Sequence, residues 1–238
     1  MKVIQVTGLS GSGKTTFIRA LVPLLAGLGT VGTVKHTGHH AMEIPKGKDT
    51  TVMFEAGARA VAGIDLEKTL VTMAGTSLTE ALDILADHGV ALAVIEGYKG
   101  SPLPKIVIGD LEAEGTVLRN PDPSEVIPAL DRFPDYFSPR EVMRELGERC
   151  GGGGRCVLVS SQVPLPAGIG DPEKTLPGIA ELMEGLPGIL GARAVVRRGS
   201  LFGGTDEILV AVGAEDGGTA AAGLGAALSL LGEMPGPE

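Results

Sequence analysis

The 238-residue sequence predicts an α/β fold, with a mostly parallel sheet flanked by helices and a smaller α+β lobe after it. Three observations predict this. A glycine-rich phosphate-loop signature at 8–15 lies between an apolar run and a helix-forming run. Strand-like and helix-like segments then alternate, the pattern of βαβ units with a parallel sheet. The chain has only seven aromatic residues and no Trp, so its core must come from Val, Ile, Leu and Ala, as in buried parallel sheets.

The first strand carries Val3, Ile4 and Val6 and runs into Gly8-Leu9-Ser10-Gly11-Ser12-Gly13-Lys14-Thr15. This is G-x-x-x-x-G-K-[ST] in its strand–loop–helix setting, which points to a P-loop NTPase. The glycines let backbone amides converge on phosphate oxygens, Lys14 can reach the β- and γ-phosphates, and Thr15 offers a hydroxyl to Mg²⁺. A helix is expected over 14–26 and a strand over 30–35. A polar loop with three histidines and Pro45 follows over 36–48. Asp49 is expected to cap a helix ending near residue 56, closed by Gly57. Short strands follow at 59–64 and 69–73, then a helix capped by Ser77 that ends at His88-Gly89. The apolar run 91–95 is a strand ending at Glu96-Gly97, and 105–108 and 126–130 read as further strands.

Gly151-Gly152-Gly153-Gly154, bracketed by Cys150 and Cys156, marks the expected domain boundary. It divides a nucleotide-binding domain at 1–149 from a lobe at 156–238, with a linker at 150–155. The lobe reads as a strand at 156–161 and a helix at 176–185. Strands at 193–198 and 207–212 pair through Gly203-Gly204, and a final helix covers 219–231. Two thiols fall short of the four ligands a structural zinc requires. The pair is either incidental to the linker or half of a metal site shared across a dimer.

Charge narrows the partners. The net charge is −9, and residues 1–110 balance ten basic against ten acidic side chains, so the whole excess lies beyond them. Eight of nine lysines lie in that first part; the last is Lys174. An acidic, lysine-poor second half argues against general nucleic-acid binding. No apolar stretch reaches bilayer-spanning length and no secretory signal precedes the first strand, so the expected location is the cytoplasm.

Ligands of open parallel sheets sit at the carboxyl ends of the strands, which places the P-loop, Lys35-His36 and Glu96 on one edge. Glu96 stands where a Walker B carboxylate would, either holding the Mg²⁺ shell or positioning an attacking water. Asp49 is a second metal carboxylate, a helix cap, or both. Lys35, His36, His39 and His40 form a basic cluster suited to a second anionic ligand, or else a solvated loop. The Asn-Lys-x-Asp guanine reader is missing. Asp131, after the 126–130 run, is either an acceptor for guanine N1–H and N2–H or a surface residue.

Taken in order, Gly8–Thr16, Val34-Lys35-His36-Thr37, His39-His40, Gly47-Lys48-Asp49-Thr50, Ala56-Gly57-Ala58 and Ile95-Glu96-Gly97-Tyr98-Lys99 resemble the MobB family over about residues 1–145. The resemblance implies a homodimeric adapter that binds GTP with Mg²⁺ and hydrolyses it weakly. It would assist a MobA-type nucleotidyltransferase that attaches GMP to molybdopterin. By the same resemblance Lys14, Thr15 and Thr16 hold phosphates and metal, and Lys35 and His36 approach the pterin or the γ-phosphate. Where the family often carries a Ser-Asp pair near the base, this chain has Ala129-Leu130-Asp131. The segment 156–234 resembles a degenerate molybdopterin synthase large subunit (MoaE-like), through Arg197-Arg198-Gly199, Gly203-Gly204 and the 207–212 run. That enzyme depends on lysines near its C-terminus, and this chain has none after Lys174. The resemblance therefore implies a lobe kept for interaction or dimerisation. Two rival functions share the same P-loop. One is a small-metabolite kinase, weakened by the missing Arg-rich lid; the other is a docking module switched by nucleotide.

Overall fold

The computed structural model describes residues 1–38, 47–75, 77–151, 156–166 and 169–232. Five strands form one parallel sheet: β1 (Lys2–Gly8), β2 (Val31–Lys35), β5 (Leu92–Glu96), β6 (Lys105–Ile108) and β7 (Thr116–Arg119). Their order is β2-β5-β1-β6-β7, with β1 in the middle and every neighbour parallel. The near-continuous burial of β1 and β5 follows from this, because helices cover both faces. On one face α1 (Lys14–Ala26) presses Phe17, Leu21 and Leu25 onto Ile4, Val6, Val94 and Ile106. On the other, α3 (Leu78–Asp87) presses Leu78, Leu82 and Ala86 onto Val3, Ala93 and Ile95.

The expected boundaries need four corrections. Residues 126–130 are not a strand but part of a 3-10 helix, Pro123–Arg132. Asp122 and Glu125 form a capping box at its start and Pro123 opens its first turn, so helical nucleation overrides the apolar run. Its buried residues Val126 and Ala129 are three apart, the 3-10 period. The last strand is instead β7, four residues upstream of that helix and unmarked by any strong apolar run. Lys48, not Asp49, is the N-cap of α2 (Asp49–Glu55); Asp49 is its first residue and complements the helix dipole from there. Finally, α4 (Pro139–Cys150) runs into the first residue of the expected linker, capped at its start by the Ser138/Glu141 box. The strands at 60–64 and 69–73, β3 (Ala60–Ile64) and β4 (Thr69–Met73), stand outside the main sheet as an antiparallel hairpin.

A second sheet, antiparallel in the order β8-β10-β9, is built from β8 (Val157–Pro164), β9 (Ile189–Arg198) and β10 (Asp206–Ala214). One face carries α5 (Pro172–Glu184) and α6 (Gly217–Gly232), where Ile179, Met183, Ala227 and Leu231 meet Val196, Ile208 and Val210. The other face carries α4, whose Val142 and Leu146 pack on Leu209 and Ala211. Cys150, at the end of α4, is a free thiol. Burial and the neighbouring Cys156 push its pKa up to about 11. Residues 152–155 of the expected linker lie outside the described residues.

A polar hub joins the two sheets. The Arg197 guanidinium on β9, its side chain 11 % exposed, bonds the Phe137 carbonyl (2.9 Å), Tyr136 OH (3.0 Å), Gln162 (3.0 Å) and Asp83 of α3 (3.1 Å). Tyr136 in turn donates to Asp83 at 2.7 Å and packs edge-on against Phe202, which the second lobe inserts among the residues beneath α3.

Burial, reinforced by the bond to Asp83, raises the Tyr136 pKa well above its ordinary value. The unfolded chain loses this proton near pH 10 while the folded one keeps it. Its contribution to stability is therefore intact below about pH 10 and is lost as pH rises further. In a Tyr98→Phe variant, whose remaining tyrosine is Tyr136, no phenolate absorbance is expected at about pH 11 until the protein unfolds. Phenolate absorbance from folded protein at that pH would contradict the assignment.

Candidate functional site

The carboxyl ends of β1, β2 and β5 open onto a single cavity of about 900 Å³. It is lined by Gly8, Ser10, Gly11, Gly13, Lys14, Thr15 and Thr16 from the loop and the start of α1, by Lys35–Gly38 after β2, and by Glu96–Lys99 after β5. The tertiary structure thus brings together the P-loop, Lys35-His36 and Glu96, as the strand-end argument requires. Ser12 belongs to the same loop. His39 and His40 lie outside the described residues. Asp49 and Asp131 are described but do not line the cavity, and Asp131 is exposed near the end of the 3-10 helix.

The loop is shaped as a cradle. Gly11 and Gly13 have φ of 76° and 92°, the left-handed region that other residues enter at a cost, and a Cβ on either would meet nothing within 4 Å. Gly8 has no such room, since a Cβ there would collide with the Ile108 carbonyl and the Ser12 hydroxyl. The start of α1 is equally telling. Helices α3 and α4 each close their first turn with a Ser/Glu capping box. By contrast, α1 has no side-chain cap and no acidic residue in its first turn. Its amide donors and its positive dipole end are left for an anion. The buried Ser12 hydroxyl also has no partner, leaving one more donor at the loop.

Lys14 Nζ rests on the loop's own carbonyls, 2.7 Å from Leu9 O and 3.3 Å from Gly8 O. Thr15 Oγ1 donates to Glu96, lying 3.3 Å from both carboxylate oxygens, and Lys35 Nζ is 3.7 Å from Oε1 of the same group. A hydroxyl and a carboxylate side by side next to a phosphate cradle are hard oxygen donors of the kind Mg²⁺ takes, so the residues present fit that ion. Among the described residues there is no group of three His, Cys, Asp or Glu able to hold a metal without a ligand's help.

The wall formed by β2 and β5 is itself organised. His36 N–H donates to the Glu96 carbonyl at 2.9 Å, and the His36 ring stacks on Tyr98 with centroids 4.0 Å apart. Gly97 makes this approach possible, because a Cβ there would lie 3.1 Å from the His36 carbonyl oxygen. Two features escaped the sequence argument. Tyr98 adopts φ 52°, which no local sequence signal demands. Asn120, also left-handed at φ 46°, accepts from Gly109 N–H at 2.6 Å and ties the ends of β6 and β7 together behind Ser12. The Asn120-Pro121 dipeptide is a turn signal that could have located this strand end.

The family model for molybdopterin guanine dinucleotide synthesis protein B (MobB) matches residues 3–128, more than half of the chain. The chain belongs to the MobB family. It is 38% identical over 112 residues to the molybdopterin-guanine dinucleotide biosynthesis adapter protein of Haemophilus influenzae, covering 44% of this chain and 62% of that protein. It is 34% identical over 120 residues to a probable adapter protein of the same description from Bacillus subtilis, covering 47% of this chain and 69% of that one. The solved structure of Bacillus subtilis MobB aligns at 25% identity with a TM-score of 0.45, over 56% of this chain and 99% of that one. The matched part thus spans less than two thirds of the Haemophilus protein and leaves the second lobe aside. As in the MobB family, the first lobe is a nucleotide-binding P-loop fold. No helix among the described residues is long and apolar enough to cross a membrane.

Proposed function

We propose that this member of the MobB family is a GTP-binding adapter in molybdenum cofactor biosynthesis. It acts in the cytoplasm as a weak Mg²⁺-dependent GTPase and assists a MobA-type nucleotidyltransferase that attaches GMP to molybdopterin. One observation carries this reading: Lys14, Thr15, Lys35, His36 and Glu96 share one cavity with an uncapped helix N-terminus. The amides of Gly11, Ser12 and Gly13 and the Lys14 ammonium take the phosphates, with Ser10 and Gly8 shaping the loop. The Thr15 hydroxyl and the Glu96 carboxylate hold Mg²⁺, and Thr16 serves the phosphates. When bound, that ion neutralises charge on the β- and γ-phosphoryl oxygens. Lys35 and His36 then face the γ-phosphate end and a second anionic ligand, molybdopterin.

Asp49, as a second carboxylate near the cation, and Asp131, as an acceptor for the guanine edge, complete the set. Both lie outside the cavity lining, so each role requires the ligand to extend beyond it. The volume of about 900 Å³ is at the upper end for small-molecule sites, with room for more than a triphosphate. The β3–β4 hairpin supports a homodimer, because it exposes Ile64 and Val71 on one face, Leu70 on the other and Leu66 in its turn. The C-terminal lobe serves interaction rather than catalysis.

A single set of measurements tests the reading. Purified protein is expected to prefer Mg·GTP to Mg·ATP, release phosphate slowly, sediment as a dimer, and stimulate a MobA-type transferase given molybdopterin. Glu96→Gln should keep GTP affinity and lose about tenfold or more in phosphate release. Fast phosphoryl transfer to a metabolite would replace the adapter with a kinase, and normal turnover of Glu96→Gln would remove the carboxylate from the chemistry.

A further inference from the structure

Beneath the turn that follows Glu96 lies a set of buried polar groups that phosphate binding does not use. Gln5, in the centre of β1, is fully buried between the apolar residues Ile4 and Val6. Its amide nitrogen donates to the carbonyls of Gly97 and Tyr98, each at 2.7 Å, and its amide oxygen accepts from Ser101 Oγ at 2.9 Å. Lys105, the first residue of β6 and 1 % exposed, donates from Nζ to the Ser101 carbonyl at 2.5 Å. Burial holds the Lys105 pKa below the ordinary lysine value.

An amide and an amine withdrawn from water cost free energy unless they are bonded, and the middle strand of a parallel sheet would ordinarily carry an apolar residue at position 5. What these two side chains bond is one short turn, residues 97–101. That turn contains Tyr98, whose left-handed backbone is disfavoured for a side chain of its size and persists only where its surroundings over-determine it. The Tyr98 ring stacks on His36, and both line the cavity.

We propose that Gln5, backed by Lys105, is a positioning residue that holds the 97–101 turn, and through it Tyr98, His36 and Glu96, in register with the phosphate cradle. This rests on the reading of the cavity as a nucleotide site. The P-loop and α1 make none of these bonds, so loosening the clamp disturbs the chemistry on the β2/β5 wall and spares the grip on the phosphates. A small displacement of a reacting group is enough to slow a reaction by tenfold or more.

Gln5→Met removes the donor and the acceptor at similar volume. In that variant the kcat for GTP hydrolysis is expected to fall about tenfold, with Mg·GTP affinity within about twofold of wild type. A second readout needs no nucleotide. The chain has two tyrosines and no Trp, and Tyr136 is 3 % exposed, so quencher-accessible tyrosine emission comes from Tyr98. Acrylamide quenching should roughly double as Tyr98 leaves His36, which a loss of stability in the folded protein would not produce. Lys105→Met should move both quantities the same way, and it stands in for Gln5→Met if that variant does not fold. Unchanged quenching with unchanged kcat would overturn the proposal, as would an affinity loss that parallels kcat. If wild-type protein binds no Mg·GTP, the nucleotide reading fails, and the quenching comparison alone decides for or against the clamp.

Discussion

Lys14→Ala is expected to weaken Mg·GTP binding by about 100-fold. The Lys14 ammonium is the cation at the cradle, and its bonds to the Leu9 and Gly8 carbonyls hold it at the loop. Charge-assisted hydrogen bonds to phosphate contribute about 1.5–3 kcal/mol each, and 1.4 kcal/mol is a factor of ten, so losing the contact costs roughly two decades. The fold should be indifferent. The side chain is partly exposed and outside the apolar clusters, so the melting temperature is expected to stay within about 2 °C. Titration of a fluorescent GTP analogue together with a thermal melt checks both halves. Equal affinity in the two proteins would remove Lys14 from the site, and a large fall in melting temperature would make the affinity loss uninformative.

Arg197→Leu is expected to give the largest loss of stability, about 3–5 kcal/mol, seen as a melting temperature lower by about 10 °C. The arginine is nearly buried and satisfies the Phe137 carbonyl, Gln162, Tyr136 and Asp83 together, with Glu207 3.7 Å away. Leucine matches much of its apolar volume but leaves Asp83 facing the interface without its cation, and removing one partner of such a pair is far costlier than never having built it. Arg197→Lys keeps the charge without the planar fork and should recover only part of the loss. The neighbouring Arg198 is a useful control. It pairs with Glu173 and Asp206 at 3.6 Å and is one-third exposed, so its removal should cost less than about 1 kcal/mol. Calorimetry decides the matter, and an Arg197→Leu melt within about 2 °C of wild type would show that the hub contributes nothing.

How much of this could be read in advance depended on the range of the interaction involved. The P-loop, β5 ending at Glu96, and the Ser77-capped α3 each carry their signal within a few residues: a signature, an apolar run, or a capping box. The 3-10 helix at 123–132 reads as a strand in the sequence because of its apolar run, while the deciding groups, Asp122, Pro123 and Glu125, lie before that run. Strand β7 is illegible in the sequence for the opposite reason. Its residues are half-buried at the sheet edge, and pairing with β6 rather than composition makes them a strand. Helix α4 carries its own capping box, a local signal overshadowed by the four glycines that follow.

By itself the sequence determined the glycine-rich loop between β1 and α1, the family, and the alternating α/β pattern of the first lobe. All three are written in contiguous segments whose backbone demands are local. Only the tertiary structure decided that Lys35, His36 and Glu96 share one cavity with that cradle, that Gln5 and Lys105 reach under the turn at Tyr98, and that Arg197 joins the two sheets through Asp83. Each of these joins residues tens of positions apart, through buried bonds that form only when β1 is enclosed between β5 and β6 or when β9 meets α3. A buried polar side chain shows its purpose only when its partner is in place, because the free energy that selects it is the cost of leaving that partner unbonded.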